Sequence, residues 1–122
     1  MLIDFSAGWC GPCQTVAEDA NAMWEAHRED GFMIMHMMVD DYQGSGTDLE
    51  FLQDWSSDFA LDFPVVMDAD EEAYYGTYQS GLNEGYIPFM ILVDQEGKID
   101  ASYVGGGNDS AIEARVAELL GQ

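Results

Sequence analysis

The spacing of apolar and polar positions along the chain predicts an alternation of strands and helices. Leu2–Phe5 is typical of a short strand. A helix is predicted after this strand, and Asp30 and Gly31 would end it. The next segment, Phe32–Asp40, is apolar on both faces, which is typical of a strand covered from both sides. This order predicts a β-α-β unit with parallel strands. The spacing of one helix face recurs at Val16, Ala17, Ala20, Met23, Trp24 and His27.

The second half of the chain carries weaker helical patterns and one strong hairpin pattern. The order β-α-β-α-(α)-β-β-α predicts an α/β fold, with a mixed four-stranded sheet flanked by helices on both faces. The remaining predicted elements are a helix that opens at a capping box from Thr47 to Glu50, an extended piece at Pro64–Met67, a helix at Asp70–Ser80, a strand at Ile87–Val93, its hairpin partner at Lys98–Val104 and a helix opening at Ser110.

Length and charge then narrow the function classes. The 122 residues fit one domain spanning 1–122. With 24 acidic residues against three Lys and Arg, the net charge is −21, which excludes nucleic-acid binding by phosphate neutralisation. The longest nearly apolar run, Phe32–Val39, is far shorter than the roughly 18 residues of a spanning helix, so no membrane partner is expected. The acidity favours a solvated surface, with electrostatic steering of a basic partner as the alternative.

Both cysteines of the chain lie at the predicted junction of the first strand and the first helix. In Trp9-Cys10-Gly11-Pro12-Cys13, the first sulfur would sit at the helix N-terminus, where unpaired N–H groups and the helix dipole favour a thiolate. Two intervening residues allow the second sulfur to reach the first. This arrangement indicates thiol–disulfide exchange, in which one thiolate attacks a disulfide and the other thiol resolves the mixed disulfide.

Other interpretations of these residues stay open at this point. Cys10, Cys13 and His27 have one common zinc spacing, although no metal site is expected because His36 is too far along the chain to complete it. A structural disulfide, or an inert pair in a binding module, is also compatible with the spacing. The methionines around His36 permit a copper site, although core packing is the favoured interpretation. A peroxidase would need an arginine beside an activated cysteine, and only Arg28 and Arg115 exist.

The segment from Asp4 to Cys13, DFSAGWCGPC, resembles the active-site segment of thioredoxin. The strand Tyr86–Val93 is similar to the cis-proline strand of that family. The middle of the chain, with its Phe63–Asp68 segment, resembles instead the redoxin branch that includes TlpA-type thiol–disulfide oxidoreductases. The resemblance implies a thioredoxin-like fold.

The resemblance also implies roles for individual residues. Cys10 would be the nucleophile, Cys13 the buried resolving thiol, and Asp4 the buried acid that accepts a proton from Cys13. A cis-Pro88 would leave the main chain of Ile87 free to pair with an extended substrate, and Trp9 would shield the disulfide, although a core tryptophan is an alternative. The substrate-binding residues implied in this way are Trp9, Gly11, Pro12, Ile87, Pro88 and Gly105.

Two features depart from the thioredoxin pattern. Phe89 stands where thioredoxins favour threonine. The family's first strand and helix do not precede the active-site segment, so Phe32–Asp40 is expected to be an unprotected edge strand. We therefore expect a homodimer that pairs through Met33–Val39.

The function expected from the sequence is thiol–disulfide exchange with protein disulfides, with Cys10 and Cys13 acting as a reductant and no bound cofactor. The partners would be disulfide-containing proteins and an upstream redox protein. The alternative is a thioredoxin-like binding or regulatory module without turnover. The location would be cytoplasmic for a complete chain, and periplasmic or extracytoplasmic if a signal segment had been removed.

Overall fold

The computed structural model describes all 122 residues as five strands, four helices and short connecting segments. Two single-turn 3₁₀ segments, Arg28–Asp30 and Ala69–Glu71, follow the first helix and precede the third. The strands are β1 (Leu2–Ala7), β2 (Ile34–Asp40), β3 (Val65–Met67), β4 (Phe89–Val93) and β5 (Ile99–Val104), and the helices are α1 (Gly11–His27), α2 (Leu49–Asp58), α3 (Glu72–Gln79) and α4 (Asp109–Leu119).

The five strands form one mixed sheet in the order β3-β2-β1-β4-β5. β1 pairs in parallel with β2, and β2 with β3, whereas β4 runs antiparallel to both β1 and β5. Helices cover both faces of this sheet: Asp4 lines a cavity against α1 and α4, while its neighbour Phe5 packs against Tyr74 of α3. The predicted thioredoxin-like α/β fold is confirmed, but the predicted number of four strands is wrong.

The fifth strand is β3, and it overturns the expected open edge at Met33–Val39. Val65 pairs with His36 and Met67 with Met38, so β3 covers the middle of β2. The amide of His36 donates to the carbonyl of Pro64 at 3.1 Å. Because β2 is an inner strand over this stretch, the expected dimer through Met33–Val39 loses its physical basis.

Helix α1 has the inner face that its spacing predicts. Val16, Ala17 and Ala20 are buried, and Met23 and Trp24 pack against the same core. Helix α2 begins one residue later than the predicted capping box, which would place Thr47 at the N-cap. Its N-cap is Asp48, whose carboxylate accepts from the amide of Phe51, and Leu49 points to solvent while Phe51 is buried.

The carboxyl ends of the parallel strands β1 and β2 meet at one edge of the sheet, where the turn into α1 begins. Gly8 lies in this turn, and its amide donates to the carbonyl of Asp40 at the end of β2. A Cβ atom on Gly8 would lie 2.7 Å from the backbone of Asp41 and Tyr42. Only glycine therefore allows this close approach, which fixes the position of the cysteines that follow.

Candidate functional site

Cys10 and Cys13 are joined by a disulfide at the N-terminus of α1. Cys10 is the N-cap residue, and its sulfur accepts a hydrogen bond from the amide of Cys13 at 3.2 Å. Cys13 is fully buried and Cys10 is 5% exposed. Cys10 is thus the more accessible of the two cysteines, and in the dithiol form the helix N-terminus would favour its thiolate.

Trp9 lies beside the disulfide with 53% of its surface exposed, so the core alternative for this residue is wrong. Its indole N–H donates to Asp40 Oδ2 at 2.8 Å. The other carboxylate oxygen of Asp40 accepts from the amides of Asp41 and Gly46. Asp40 therefore links the tryptophan to the loop after β2, a connection that the sequence pattern did not reveal.

Asp4 is buried in β1, with 1% of its surface exposed. The hydroxyl of Ser6 donates to Asp4 Oδ1 at 2.6 Å, and His36 Nε2 lies 3.5 Å from Oδ2. Burial raises the pKa of Asp4 above its ordinary value, and the contacts with His36 and Ser6 oppose part of this rise. The alternative of a solvated residue at a frayed chain start is therefore wrong.

His36 was considered from the sequence only as a metal ligand, and its place beside Asp4 was not predicted. It lies directly beside Asp4 in the register of β1 and β2, and it is buried. Its Nδ1 accepts a hydrogen bond from the indole N–H of Trp55 at 3.1 Å. Burial lowers the pKa of His36, and the nearby Asp4 carboxylate opposes this shift. The contact between Asp4 and His36 follows from the register of β1 against β2. The pattern of a single strand does not show which residue of its neighbour lies opposite, so the sequence could not predict this contact.

A cavity of about 10 Å³ lies between the sheet and helices α1 and α4. Asp4 and His36 line it from the sheet, Asp19 from α1 and Asp109 from α4. Burial raises the pKa of Asp109, and the carboxylates of Asp19 and Asp4 add to the rise. The buried acid and histidine thus share a small, mostly apolar cavity with two carboxylates nearer the surface. The other lining residues are apolar: Leu2, Val16, Ala20, Met23, Ile34, Met90 and Ile112.

The peptide bond between Ile87 and Pro88 is cis, as the thioredoxin resemblance implies. Pro88 is buried, and its carbonyl accepts from the amide of Gly105 at 2.8 Å. Neither the N–H nor the C=O of Ile87 bonds to another backbone group. Upstream of this bond, the buried Asn83 binds both the amide and the carbonyl of Tyr86, so it holds the loop that enters β4.

Gly11 and Pro12 form the exposed first turn of α1. No atom lies within 4 Å of a Cβ placed on Gly11, whereas a Cβ on Gly106 would lie 4.0 Å from the carbonyl of Pro12. Gly105 itself has a φ of +77°, a conformation that favours glycine. Gly106 therefore lies near the active-site turn, and Gly105 connects the loop after β5 to Pro88.

The geometry weighs against the other interpretations of these residues. His27 lies at the far end of α1, roughly 20 Å from Cys13 along the helix, so it cannot share a zinc ion with the cysteines. His36 is occupied on both ring nitrogens, by Trp55 and Asp4. Arg28 stacks on Trp24, and Arg115 is bound to Asp100 and Glu118, so neither offers a guanidinium to Cys10.

The chain is similar over nearly its whole length to proteins named for thiol–disulfide chemistry. Two are described as thiol-disulfide oxidoreductase ResA, from Bacillus thuringiensis (strain Al Hakam) and Bacillus anthracis. Each is 24% identical over 119 residues, which is 98% of this chain and 62% of the relative. The chain therefore spans less than two thirds of the length of these relatives. None of its helices has the length and apolar character needed to cross a membrane.

Solved structures share the fold at low sequence identity. A secreted thiol-disulfide isomerase from Corynebacterium glutamicum superposes with a TM-score of 0.82 at 19% identity, covering 99% of this chain and 70% of that one. A thiol:disulfide interchange protein of the thioredoxin family from Chlorobium tepidum gives a TM-score of 0.77 at 20% identity, with 98% and 78% covered. The AhpC/TSA family profile matches residues 1–102, and the chain therefore belongs to the AhpC/TSA family.

Proposed function

We propose that this chain is a thiol–disulfide oxidoreductase that reduces disulfides in protein substrates. The observation that carries the proposal is the asymmetry of the cysteine pair: Cys10 reaches solvent at a helix N-terminus, and Cys13 is fully buried one turn later. The more accessible sulfur, at the helix N-terminus, suits attack on a substrate, and the fully buried sulfur suits resolution. The names of the similar ResA proteins agree with this chemistry.

In the proposed cycle, the thiolate of Cys10 attacks one sulfur of a substrate disulfide. A mixed disulfide forms, and the other substrate sulfur leaves as a thiolate. The thiolate of Cys13 then attacks Cys10, which forms the intramolecular disulfide and releases the second substrate thiolate. The substrate gains two electrons and the protein loses two. A separate dithiol protein, the proposed upstream partner, would reduce the Cys10–Cys13 disulfide again.

Asp4 is the proposed acceptor of the proton that Cys13 loses. It is buried on β1 behind the first turns of α1, where Val16 lines the same cavity one turn after Cys13. A carboxylate whose pKa is raised by burial suits proton exchange nearer neutral pH than an exposed one would. The exposed Trp9 and the unpaired main chain of Ile87 are the proposed contacts for an extended substrate segment.

Reduction of insulin disulfides by dithiothreitol tests the proposal. Wild-type protein should accelerate the reaction, and Cys10→Ser should remove the acceleration completely. With a disulfide substrate, the Cys13→Ser variant should accumulate a mixed disulfide at Cys10, because the resolving thiol is missing. Mass spectrometry under non-reducing conditions identifies this adduct.

The control variant is Ala22→Ser, which places a serine on the exposed side of α1 and leaves both cysteines. It should retain the wild-type rate. Wild-type protein that is no faster than dithiothreitol alone would refute turnover and favour the binding-module interpretation. An adduct on Cys13 instead of Cys10 would reverse the two proposed roles.

A further inference from the structure

We propose that His36 is a positioning residue for proton transfer at Asp4, held by Trp55 in the neutral form that carries its proton on Nε2. This inference rests on the proposed function, because it concerns the acid of that reaction. Three side chains from three elements carry it: Trp55 of α2, His36 of β2 and Asp4 of β1. All three are buried, with exposed fractions of 1% or less.

The contact between Trp55 and His36 selects one tautomer of the imidazole. An indole N–H is a donor only, so the nitrogen 3.1 Å from it must be an acceptor. Nδ1 is that nitrogen, and it therefore carries no proton. A neutral imidazole has its one proton on the other nitrogen, so the proton of His36 is on Nε2. A second proton would sit on Nδ1 and make it a donor. Two N–H donors, those of Trp55 and His36, would then face each other and the hydrogen bond would be lost.

The protonated nitrogen is the one next to Asp4. Nε2 lies 3.5 Å from Asp4 Oδ2, while the hydroxyl of Ser6 donates to Oδ1. Each carboxylate oxygen of Asp4 thus has one donor beside it. Each oxygen has a second lone pair, which remains free to accept a proton. A neutral N–H beside the carboxylate stabilises the ionised form of Asp4, and it cannot itself remove the proton that Asp4 receives. His36 would therefore keep Asp4 ionised and oriented without competing for its proton.

Other titratable groups also lie near Asp4. Their effects on the pKa of Asp4 must be distinguished from the effect of His36 in any pH profile. Asp19 of α1 and Asp109 of α4 line the same cavity as Asp4, and Cys13 lies in the first turn of α1. Asp4 also pairs with Met90 of β4, which does not titrate. Negative charge on Asp19 or Asp109 would raise the pKa of Asp4, which is the opposite of the effect ascribed to His36.

The first measurement is the ¹⁵N NMR spectrum of His36 in reduced, full-chain protein between pH 5 and pH 8. We expect a neutral imidazole with Nε2 protonated throughout this range. Trp55→Phe should release the imidazole, which then titrates or exchanges between tautomers. The matched control is Trp24→Phe, since the indole N–H of Trp24 is also buried but has no partner. That variant should leave the His36 spectrum unchanged.

The second measurement follows Asp4 itself through the ¹³C shift of its carboxyl group. In His36→Leu the midpoint of Asp4 should move upward by roughly 0.5–1 pH unit, because a donor to the ionised form is lost. The acid limb of the pH profile for mixed-disulfide resolution should move by the same interval. His36→Gln, which retains a side-chain N–H donor, should restore much of the shift. Asp109→Asn should leave the His36 tautomer as in wild type.

Two results would overturn the positioning role. One is a ¹⁵N spectrum of wild-type protein in which His36 is cationic, or protonated on Nδ1, at pH 7. This measurement does not depend on the folding of any variant. The other is an Asp4 midpoint that does not move in His36→Leu. Failure of the proposed function looks different: wild-type protein would show the expected tautomer and still not accelerate insulin reduction.

Discussion

At the scale of single residues, the site combines a cysteine pair at a helix N-terminus with a buried carboxylate. Asp4 has Ser6 and His36 as polar neighbours, and burial nevertheless raises its pKa. An acid with a raised pKa holds its proton more tightly in the folded chain than in the unfolded chain. Between the ordinary pKa and the raised one, the folded state therefore binds more protons, and stability falls as pH rises through this window.

Asp4→Asn should for this reason stabilise the protein above that window. We expect the variant to melt about 3–6 °C higher than wild type at pH 8, equivalent to roughly 1 kcal/mol. The gain should shrink toward pH 4, where Asp4 of the wild type becomes neutral. Thermal denaturation followed by circular dichroism at both pH values measures the difference. Proton transfer from Cys13 should slow in the same variant.

Asp54→Asn controls for the loss of one negative charge, because Asp54 is exposed on α2. It should give a small change in melting temperature at pH 8 compared with Asp4→Asn. If the gain from Asp4→Asn were the same at pH 4 and pH 8, the raised pKa would not be its cause.

The residues of the site differ in how far the sequence alone can predict them. Cys10, Cys13 and Asp4 lie within ten positions of each other, so a local pattern is sufficient to propose them. His36 becomes a partner of Asp4 only through the register of two strands, and Trp55 reaches His36 only through the packing of α2. A single strand shows which positions share a face, but it does not show which position of a neighbour lies opposite.

At the scale of secondary structure, long periodic segments were predictable as strands or helices, whereas the shortest strand was predicted only as an extended piece without a place in the sheet. β4 and the inner face of α1 follow directly from their apolar spacing. β3 has only three residues, between Pro64 and Asp68, and so short a run has no detectable period. Its pairing with β2 turned the expected edge strand into an inner strand. A short edge strand next to proline exposes few unpaired backbone groups, which limits strand-to-strand association.

The turn between β1 and α1 gives a prediction at this scale. Gly8→Ala should destabilise the fold by about 1–3 kcal/mol or more, because its Cβ would meet the backbone of Asp41 and Tyr42 at 2.7 Å. Gly76→Ala is the matched control, since Gly76 is exposed inside α3 and has no atom within 4 Å of the added Cβ. Alanine there should stabilise α3 by about 0.5–1 kcal/mol. Urea denaturation of both variants gives the two values, and a destabilisation of equal size in both would contradict the argument.

At the scale of the whole molecule, the dominant feature is unbalanced negative charge. Five of the 24 carboxylates have a basic group within 4.0 Å, and two of those groups are histidines. The acid groups are spread along the chain from Asp4 to Glu118, so folding brings like charges together. Mutual repulsion of this kind weakens the compact state and keeps molecules apart from each other.

Salt should therefore stabilise this protein. The screening length falls from about 10 Å at 0.1 M salt to about 3 Å at 1 M, which is shorter than most distances between exposed carboxylates. We expect the melting temperature at pH 7 to rise by about 5 °C or more between 0.05 M and 1 M sodium chloride, equivalent to roughly 1 kcal/mol. The same titration near pH 4 is the control, because many carboxylates are then neutral and the rise should be much smaller. A melting temperature at pH 7 that does not depend on salt would mean that repulsion among the carboxylates does not limit the stability of the fold.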